Sequence, residues 1–508
     1  MLDLIVIGGG PVGAMAGNLA GRARLTAVVL DRAPAVFDLP RAIHFDAHIM
    51  RILQQTGLAG ELLPDVRVWK RSTFYGADGE PIRVHDWPSD RPYGWDAHYL
   101  FYQPKLEAVL RAGLARFDDV DLRLGVEAVA VEQHDDHVTV TIRDPASGEV
   151  STLSARYLIG ADGAASFVRT SSGIRLVDGD FDEPWLVVDL SCAREIGRPD
   201  ESEMFCDPTR PATRVPGPGR HHRWEFMLLP GETPEELQRP ERIRDLLAPW
   251  VGMDEVEIIR ASVYRFHSLI AESWRRGRVF LAGDAAHQTP PFLGQGLCHG
   301  LRDVQNLVGK VAAVQAGGPG GPLLDSYEAE RRPHVERIIG MAVAAGREIC
   351  VLDPAEAHER DARMRRAARS GELPRTTFQG MPPLTGGLFA DTPGAGELFP
   401  QPAVFDREER LGMFDDVLPP RVVVVARGDA VSEIRAVADR SGVPLVAVDD
   451  PGTGHLVIRD ELVGDWFTRH GARFAVVRPD RYVHGTTDSA EAATAMIRAA
   501  CTYFPCSG

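Results

Sequence analysis

Gly8-Gly9-Gly10-Pro11-Val12-Gly13 follows the β-branched run Leu4-Ile5-Val6-Ile7 and opens a helix-spaced stretch over 12–22. Glycines at GxGxxG spacing permit a tight turn at Gly8, close approach of a pyrophosphate to the backbone at Gly10, and tight helix–strand packing at Gly13. Pro11 suits the first helical turn, and the free N–H groups at a helix start attract phosphate. Asp31, with Arg32 beside it, closes a second apolar run, Ala27-Val28-Val29-Leu30. A carboxylate there can accept from ribose hydroxyls. An ordinary glycine turn is the competing reading, and the flanking strands and Asp31 count against it. A site of this kind holds NAD or FAD.

Two later blocks decide between them. Gly160-Ala161-Asp162-Gly163 precedes Arg169, and Gly283-Asp284-Ala285-Ala286-His287 leads through Pro290-Pro291 to Gly294-Gln295-Gly296. In this order the three blocks resemble the single-component FAD-dependent aromatic hydroxylases, flavoprotein monooxygenases with the p-hydroxybenzoate hydroxylase fold, over about residues 1–350. Segments 40–46, 185–189, 215–220 and 283–296 are most similar to the 3-(3-hydroxyphenyl)propionate hydroxylase group, and 466–482 resembles that group's thioredoxin-like C-terminal domain.

The resemblance implies FAD as resident cofactor, NADH or NADPH as electron donor and O2 as co-substrate. It implies hydroxylation of a phenolic ring through a flavin C4a-hydroperoxide. It assigns Asp284 to a ribityl hydroxyl, Arg41 to the pyrophosphate, Gln103 to the FAD, and Asp162 to the region between FAD and NAD(P)H. Gly283, Pro291, Gly294, Gln295 and Gly296 would line the flavin, with Pro290 and Pro291 stiffening the loop. Backbone N–H groups at the helix start Gly294–Gly296 would face the anionic edge of the reduced ring. No second GxGxxG exists in the sequence, so NAD(P)H would dock transiently on the FAD domain.

Oxygen transfer needs an electron-rich ring, and ionising a phenol near pKa 10 at pH 7 takes about 4 kcal/mol. His44 is the candidate base, grouped with Pro291 and Gly294 as catalytic, with a structural histidine as the competing reading. Arg223, Glu225 and Met227 alternate with Trp224, Phe226 and Leu228 on a strand, so one set faces the pocket; the alternation does not say which. Arg223, Glu225 and Arg265 are the substrate-binding candidates, with His221 and His222 as further cations for an acid side chain. His287 reads as a hydrogen-bonding residue. No metal site is expected.

The elements that position these residues imply α/β and α+β architecture. A Rossmann-type FAD domain spans 1–72, 103–178 and 272–350, with a mixed-sheet substrate domain inserted at 73–102 and 179–271. A helix and linker over 351–395 lead to a thioredoxin-like α/β domain at 396–508. Residues 72–100 read as irregular and aromatic.

Composition agrees. The 508 residues suggest two to four domains. A net charge of −16 leaves no electrostatic footprint for nucleic acid or acidic lipid, and no apolar run reaches membrane-spanning length. The six cysteines include no CxxC, so reduced thiols and a cytoplasmic protein without export signal are expected; Cys501 and Cys506 are too widely spaced for a thioredoxin motif. Only three basic residues are Lys, a bias that fits high-GC codon usage. The expected partner is a small phenolic substrate, and a homodimer is compatible. Two alternatives stay open: a tailoring hydroxylase acting on a polyketide or polycyclic phenol, and a non-catalytic FAD-fold binding protein.

Overall fold

Strands buried on both faces must be apolar throughout, and the runs at 4–7, 27–30 and 157–159 satisfy this. In the computed structural model they form the centre of a parallel sheet, Leu2–Ile7 between Ala27–Asp31 and Val150–Gly160, with Val279–Leu281 and Val120–Leu124 outside them. Helix Pro11–Arg22 covers the sheet and packs against helices Gln103–Leu114 and Gly296–Gln315. The structure describes residues 1–192, 196, 199–370, 381–406, 409–449 and 456–506, so part of the expected linker, 371–380, lies outside the described residues.

A second sheet of eight strands is built around the long antiparallel pair Leu176–Cys192 and Val256–Ala271. Its register settles the alternation left open by sequence. Trp224, Phe226 and Leu228 pack on Leu237, Ile243 and Leu247 beneath the short helix Pro240–Leu247. Arg223, Glu225 and Met227 therefore turn the other way, Arg223 reaching the Pro40–Arg41 loop. On that face Met227 packs with Trp185, Phe266 and Phe292.

The segment read as irregular is ordered. Arg71–Tyr75 and Pro81–Asp86 form the edge of this second sheet, while His98–Phe101 pairs with His44–Asp46 and Val66–Val68 in a separate three-stranded sheet. A bulge between the Phe74 and Tyr75 pairings breaks the period-two alternation that would have revealed the hairpin.

The C-terminal sheet has seven strands, with Val423–Arg427, Leu445–Val448 and Leu456–Ile458 parallel and Phe474–Val477 and Val483–Thr487 antiparallel. Buried ion pairs join this domain to the rest. Arg478 donates to both oxygens of Glu330 at 2.9 and 3.0 Å, and Lys310 Nζ reaches the same carboxylate at 2.7 Å. Arg51 and Arg481 meet on Asp415 at 2.7 and 3.0 Å.

One cysteine expectation is corrected. Past helix Ala490–Tyr503 the chain folds back, bringing the Cys501 and Cys506 Cα atoms to 5.5 Å, and the two form a disulfide. Cys192, Cys206, Cys298 and Cys350 remain free thiols. Among the described residues no helix is long and apolar enough to cross a membrane.

Candidate active site

Gly8 has φ of +101°, and a Cβ there would sit 2.3 Å from the Ala161 carbonyl oxygen. A Cβ at Gly13 would lie 1.7 Å from the Gly8 oxygen. The protein's own backbone thus requires both glycines. Gly10 differs, because its Cβ would meet nothing within 4 Å, leaving open space at the N-terminus of helix Pro11–Arg22. Asp31 is fixed beside that space, accepting from Gly9 N–H and Ala33 N–H at 2.7 Å each. Arg111 braces the turn, donating to the Gly9 carbonyl at 2.9 Å and to Asp31 at 3.3 Å. Sequence reasoning did not single out Arg111; Glu107, one turn earlier and 2.9 Å from it, was the available signal. Arg32 is exposed on the rim.

Asp284 is exposed, on the 3-10 turn Gly283–Ala285. Desolvation raises its pKa, opposed by His287 and by Arg41. The exposed Arg41 guanidinium stands 5.0 Å from the Phe37 ring centroid. Gln103 uses its side-chain oxygen on the backbone of this loop, accepting from Arg41 and Ala42 N–H at 3.1 and 2.7 Å. Asp162 caps helix Phe167–Ser171, accepting from Ser166 Oγ at 2.5 Å and Val168 N–H at 3.0 Å. Arg169 donates to the Ala285 carbonyl at 3.2 Å and so ties two of the motif blocks together. Gly283, at φ +60°, donates to Asp303, which also holds His287 at 2.7 Å. His287 is the buried hydrogen-bonding residue expected of it.

Pro291–Leu293 forms a single 3-10 turn, and Gly294 then takes a left-handed conformation at φ +63°, which favours glycine. Gln295 and helix Gly296–Gln315 follow. A buried network holds this corner: Gln295 accepts from Arg302 at 2.9 Å and donates to Asp46 at 3.3 Å, and Asp46 pairs with Arg302. Burial works against ionisation of Asp46, but Arg302 and the other groups around it together outweigh it and hold the carboxyl well below the usual range.

His44 Nδ1 lies 3.2 Å from the Gly294 carbonyl, which can only accept, so Nδ1 carries the proton. His44 Nε2 is 2.9 Å from His98 Nδ1 and must then accept from it. Burial pushes the His44 pKa down to about 4, and that of His98 well below its ordinary value. Two neutral imidazoles in series therefore end on the Gly294 turn, walled by Trp69 at 4.9 Å from His44 and Trp87 at 4.2 Å from His98. His98, Asp46 and Arg302 were not foreseen: His98 and Asp46 lie far in sequence from the Gly294 turn, and Arg302, seven residues after Gln295, gave no signal apart from its helix.

On the second sheet Glu225 is half-buried, and desolvation raises its pKa. Arg223 is buried on Asp189 at 2.9 Å and donates to the carbonyls of Arg41 and Pro40 at 2.7 and 3.2 Å. It is therefore a brace between the sheet and the Arg41 loop. Arg260 and His221 share the same Asp189 at 2.8 Å each. Arg265 is not brought to this group: its side chain is 60% exposed and pairs with Asp182. His222 is buried with its pKa lowered to about 4 by desolvation.

Open space over Gly10, the helix N-terminus beneath it, and Asp31 fixed beside it form a cradle suited to a dinucleotide. Among the described residues no group of His, Cys, Asp and Glu could hold a metal ion.

Comparison with known proteins agrees with this cradle. The FAD binding domain family model matches residues 1–342, and the HcaD C-terminal domain model matches 396–502. A Burkholderia cenocepacia protein named 3-(3-hydroxy-phenyl)propionate/3-hydroxycinnamic acid hydroxylase is 36% identical, covering 96% of this chain and 94% of that one. A Rhodococcus jostii protein named "Probable NADH-specific resorcinol 4-hydroxylase" is 35% identical, covering 97% and 93%. Among solved structures, aklavinone-11 hydroxylase in a ternary complex with FAD and aklavinone superposes with a TM-score of 0.80 at 26% identity, covering 99% of both chains. The flavin-dependent monooxygenase PieE shares the fold, with a TM-score of 0.84 at 21% identity, covering 100% of this chain and 99% of that one.

Proposed function

The chain belongs to the FAD-dependent aromatic hydroxylases, and from that premise we propose that it hydroxylates a single-ring phenol of the 3-(3-hydroxyphenyl)propionate kind, ortho or para to the existing hydroxyl. Bound FAD, reduced by NADH or NADPH, supplies the O2 activation through which one oxygen atom reaches the ring.

The chain's own residues do the rest. The Gly8–Gly13 turn and helix Pro11–Arg22 receive the pyrophosphate with Arg41, while Asp31 and Arg32 take the adenosine end and Asp284 a ribityl hydroxyl. Arg111, Gln103 and Arg223 hold these loops at fixed distances without themselves being needed as ligands. Gln295 and Gly296 present backbone N–H groups, and Pro291 and Gly294 a rigid turn, to the ring of the cofactor, braced by Asp46–Arg302. Asp162 stands near Gly8, at the side from which the nicotinamide donor would approach.

The observation that carries the reading is the bond from His44 to the Gly294 carbonyl, continued to His98. It places a pair of neutral, low-pKa imidazoles at the flavin loop. Held neutral, this pair can hydrogen-bond the phenol but does not take its proton at neutral pH, so His44 is not the base expected of it; it holds Gly294 in its left-handed turn. Glu225, desolvated and facing the same side, is the group able to accept a proton there.

The whole-chain likeness to aklavinone-11 hydroxylase favours a second reading, a tailoring hydroxylase of polycyclic phenols. NAD(P)H consumption, product mass and peroxide should be followed with 3-(3-hydroxyphenyl)propionate, resorcinol and a polycyclic phenol. Hydroxylated single-ring product with little peroxide is expected. Hydroxylation of the polycyclic phenol alone favours the second reading, and purified protein that takes up no FAD refutes both.

A further inference from the structure

The cationic candidates named from sequence are engaged or misplaced: Arg223 is bound to Asp189 and two carbonyls, and Arg265 lies in a surface pair. A different arginine on the same sheet is neither. Arg83 sits on edge strand Pro81–Asp86 opposite Phe74, with its guanidinium over the Phe74 ring at 4.2 Å.

Register places it on the site side. Arg83 pairs with Phe74, Phe74 with Met204, Met204 with Thr213, and Thr213 with Glu225, and directly opposed residues share a face. Phe74 belongs to the cluster that includes Trp185 and Met227, against which Phe292 of the Gly294 loop packs. His85, two residues along the same strand and on the same face, is about 7 Å farther on. Its ring meets Trp87 at 4.0 Å, Trp87 meets His98 at 4.2 Å, and His98 is bonded to His44 on Gly294. A continuous line of rings therefore runs from the flavin loop to Arg83.

The Arg83 side chain is half-buried and lacks a carboxylate partner. Its Nε is buried with no hydrogen-bond partner, and among the described residues no carboxylate lies within ion-pair distance of the guanidinium. Burial lowers its pKa, opposed chiefly by the more distant Glu348, and its charge in turn helps depress His85. A desolvated cation without a counter-charge is costly, and a planar fork matches a carboxylate bidentately.

We propose that Arg83 binds a carboxylate on the side chain of the substrate, which makes the enzyme a hydroxylase of phenols bearing an acid side chain. The phenol ring then lies at the His44–His98 end and the acid runs along strand Pro81–Asp86. This rests on the hydroxylase reading above and narrows its substrate.

The test uses the FAD-loaded enzyme and the change in flavin absorbance on ligand binding. 3-(3-Hydroxyphenyl)propionate is compared with 3-propylphenol, which has the same ring and chain length without the charge. The wild type should bind the acid more tightly. Arg83→Met should weaken acid binding about 10- to 100-fold while leaving 3-propylphenol within about twofold, and Arg83→Lys should recover part of the loss. Equal weakening of both ligands, or unchanged acid binding at normal FAD content, overturns the proposal. Should Arg83→Met fail to fold, the wild type decides alone: a preference for the acid over its neutral amide of at least about tenfold supports Arg83, and equal binding overturns it. Hydroxylation of neutral phenols without acid preference defeats this inference but leaves the hydroxylase reading standing. Absence of hydroxylation with every phenol defeats that reading itself.

Discussion

Acid should loosen this protein through His44, and the size of the effect follows from its surroundings. The imidazole is 4% exposed, its Nδ1–H is held by the Gly294 carbonyl and its Nε2 by His98, and burial lowers its pKa to about 4. In the unfolded chain the same group titrates near 6.5. Between these values the unfolded state binds a proton that the folded state refuses, so stability is full above about pH 6.5 and declines as pH falls toward 4. A shift of this size removes about 2 kcal/mol at pH 5 relative to pH 8, and about 3 kcal/mol below pH 4. Other buried imidazoles, among them His48, His98, His299 and His334, are shifted in the same direction and steepen the total. His44→Asn isolates the contribution, because Asn can donate to Gly294 but does not titrate. Urea unfolding followed by tryptophan fluorescence at pH 8 and pH 5 should show the stability gap between wild type and variant changing by about 2 kcal/mol. Parallel pH profiles would mean that His44 is not held neutral in the fold.

Two glycines of one motif should fail differently. Gly10→Val, projecting into open space, should leave the melting temperature of the cofactor-free protein nearly unchanged but weaken FAD binding by at least about tenfold in a fluorescence titration; Gly13→Ala, with its Cβ 1.7 Å from the Gly8 oxygen, should lower the melting temperature itself. Glu330→Gln strips the shared counter-charge from Arg478 and Lys310 and should cost about 3–5 kcal/mol by urea denaturation; a loss below about 1 kcal/mol would show that the C-terminal domain does not depend on this junction. His98→Phe removes the donor to His44 and should keep FAD while cutting hydroxylation by about 100-fold and diverting NAD(P)H use to peroxide; unchanged coupling would remove the imidazole pair from holding the Gly294 turn and the phenol.

The parts legible in sequence were those where local chemistry dictates local structure. Gly8 and Gly13 announced the first βαβ unit because no other residue fits there, and the uniformly apolar runs at 4–7 and 27–30 could only be buried parallel strands. What was hidden depended on register. A bulge disguised the hairpin of Arg71–Tyr75 and Pro81–Asp86, and with it the face on which Arg83 stands. The same holds for the arginines. Arg111, Arg223, Arg265 and Arg302 look alike as letters, and only strand pairing and helix packing separate a turn brace, a buried sheet anchor, a surface ion pair and a support for the Gly294 turn. His44 was found through its neighbours Pro40 and Arg41, whereas its partner His98 lies 54 residues away across the three-stranded sheet.

The most direct test of the central claim is a single turnover balance with isotopically heavy O2. Enzyme loaded with FAD and supplied with NADH or NADPH and 3-(3-hydroxyphenyl)propionate should give a dihydroxylated ring carrying one heavy oxygen for each reduced nicotinamide consumed. Nicotinamide oxidation that ends wholly in peroxide, or a product whose new hydroxyl carries oxygen from water, would contradict it.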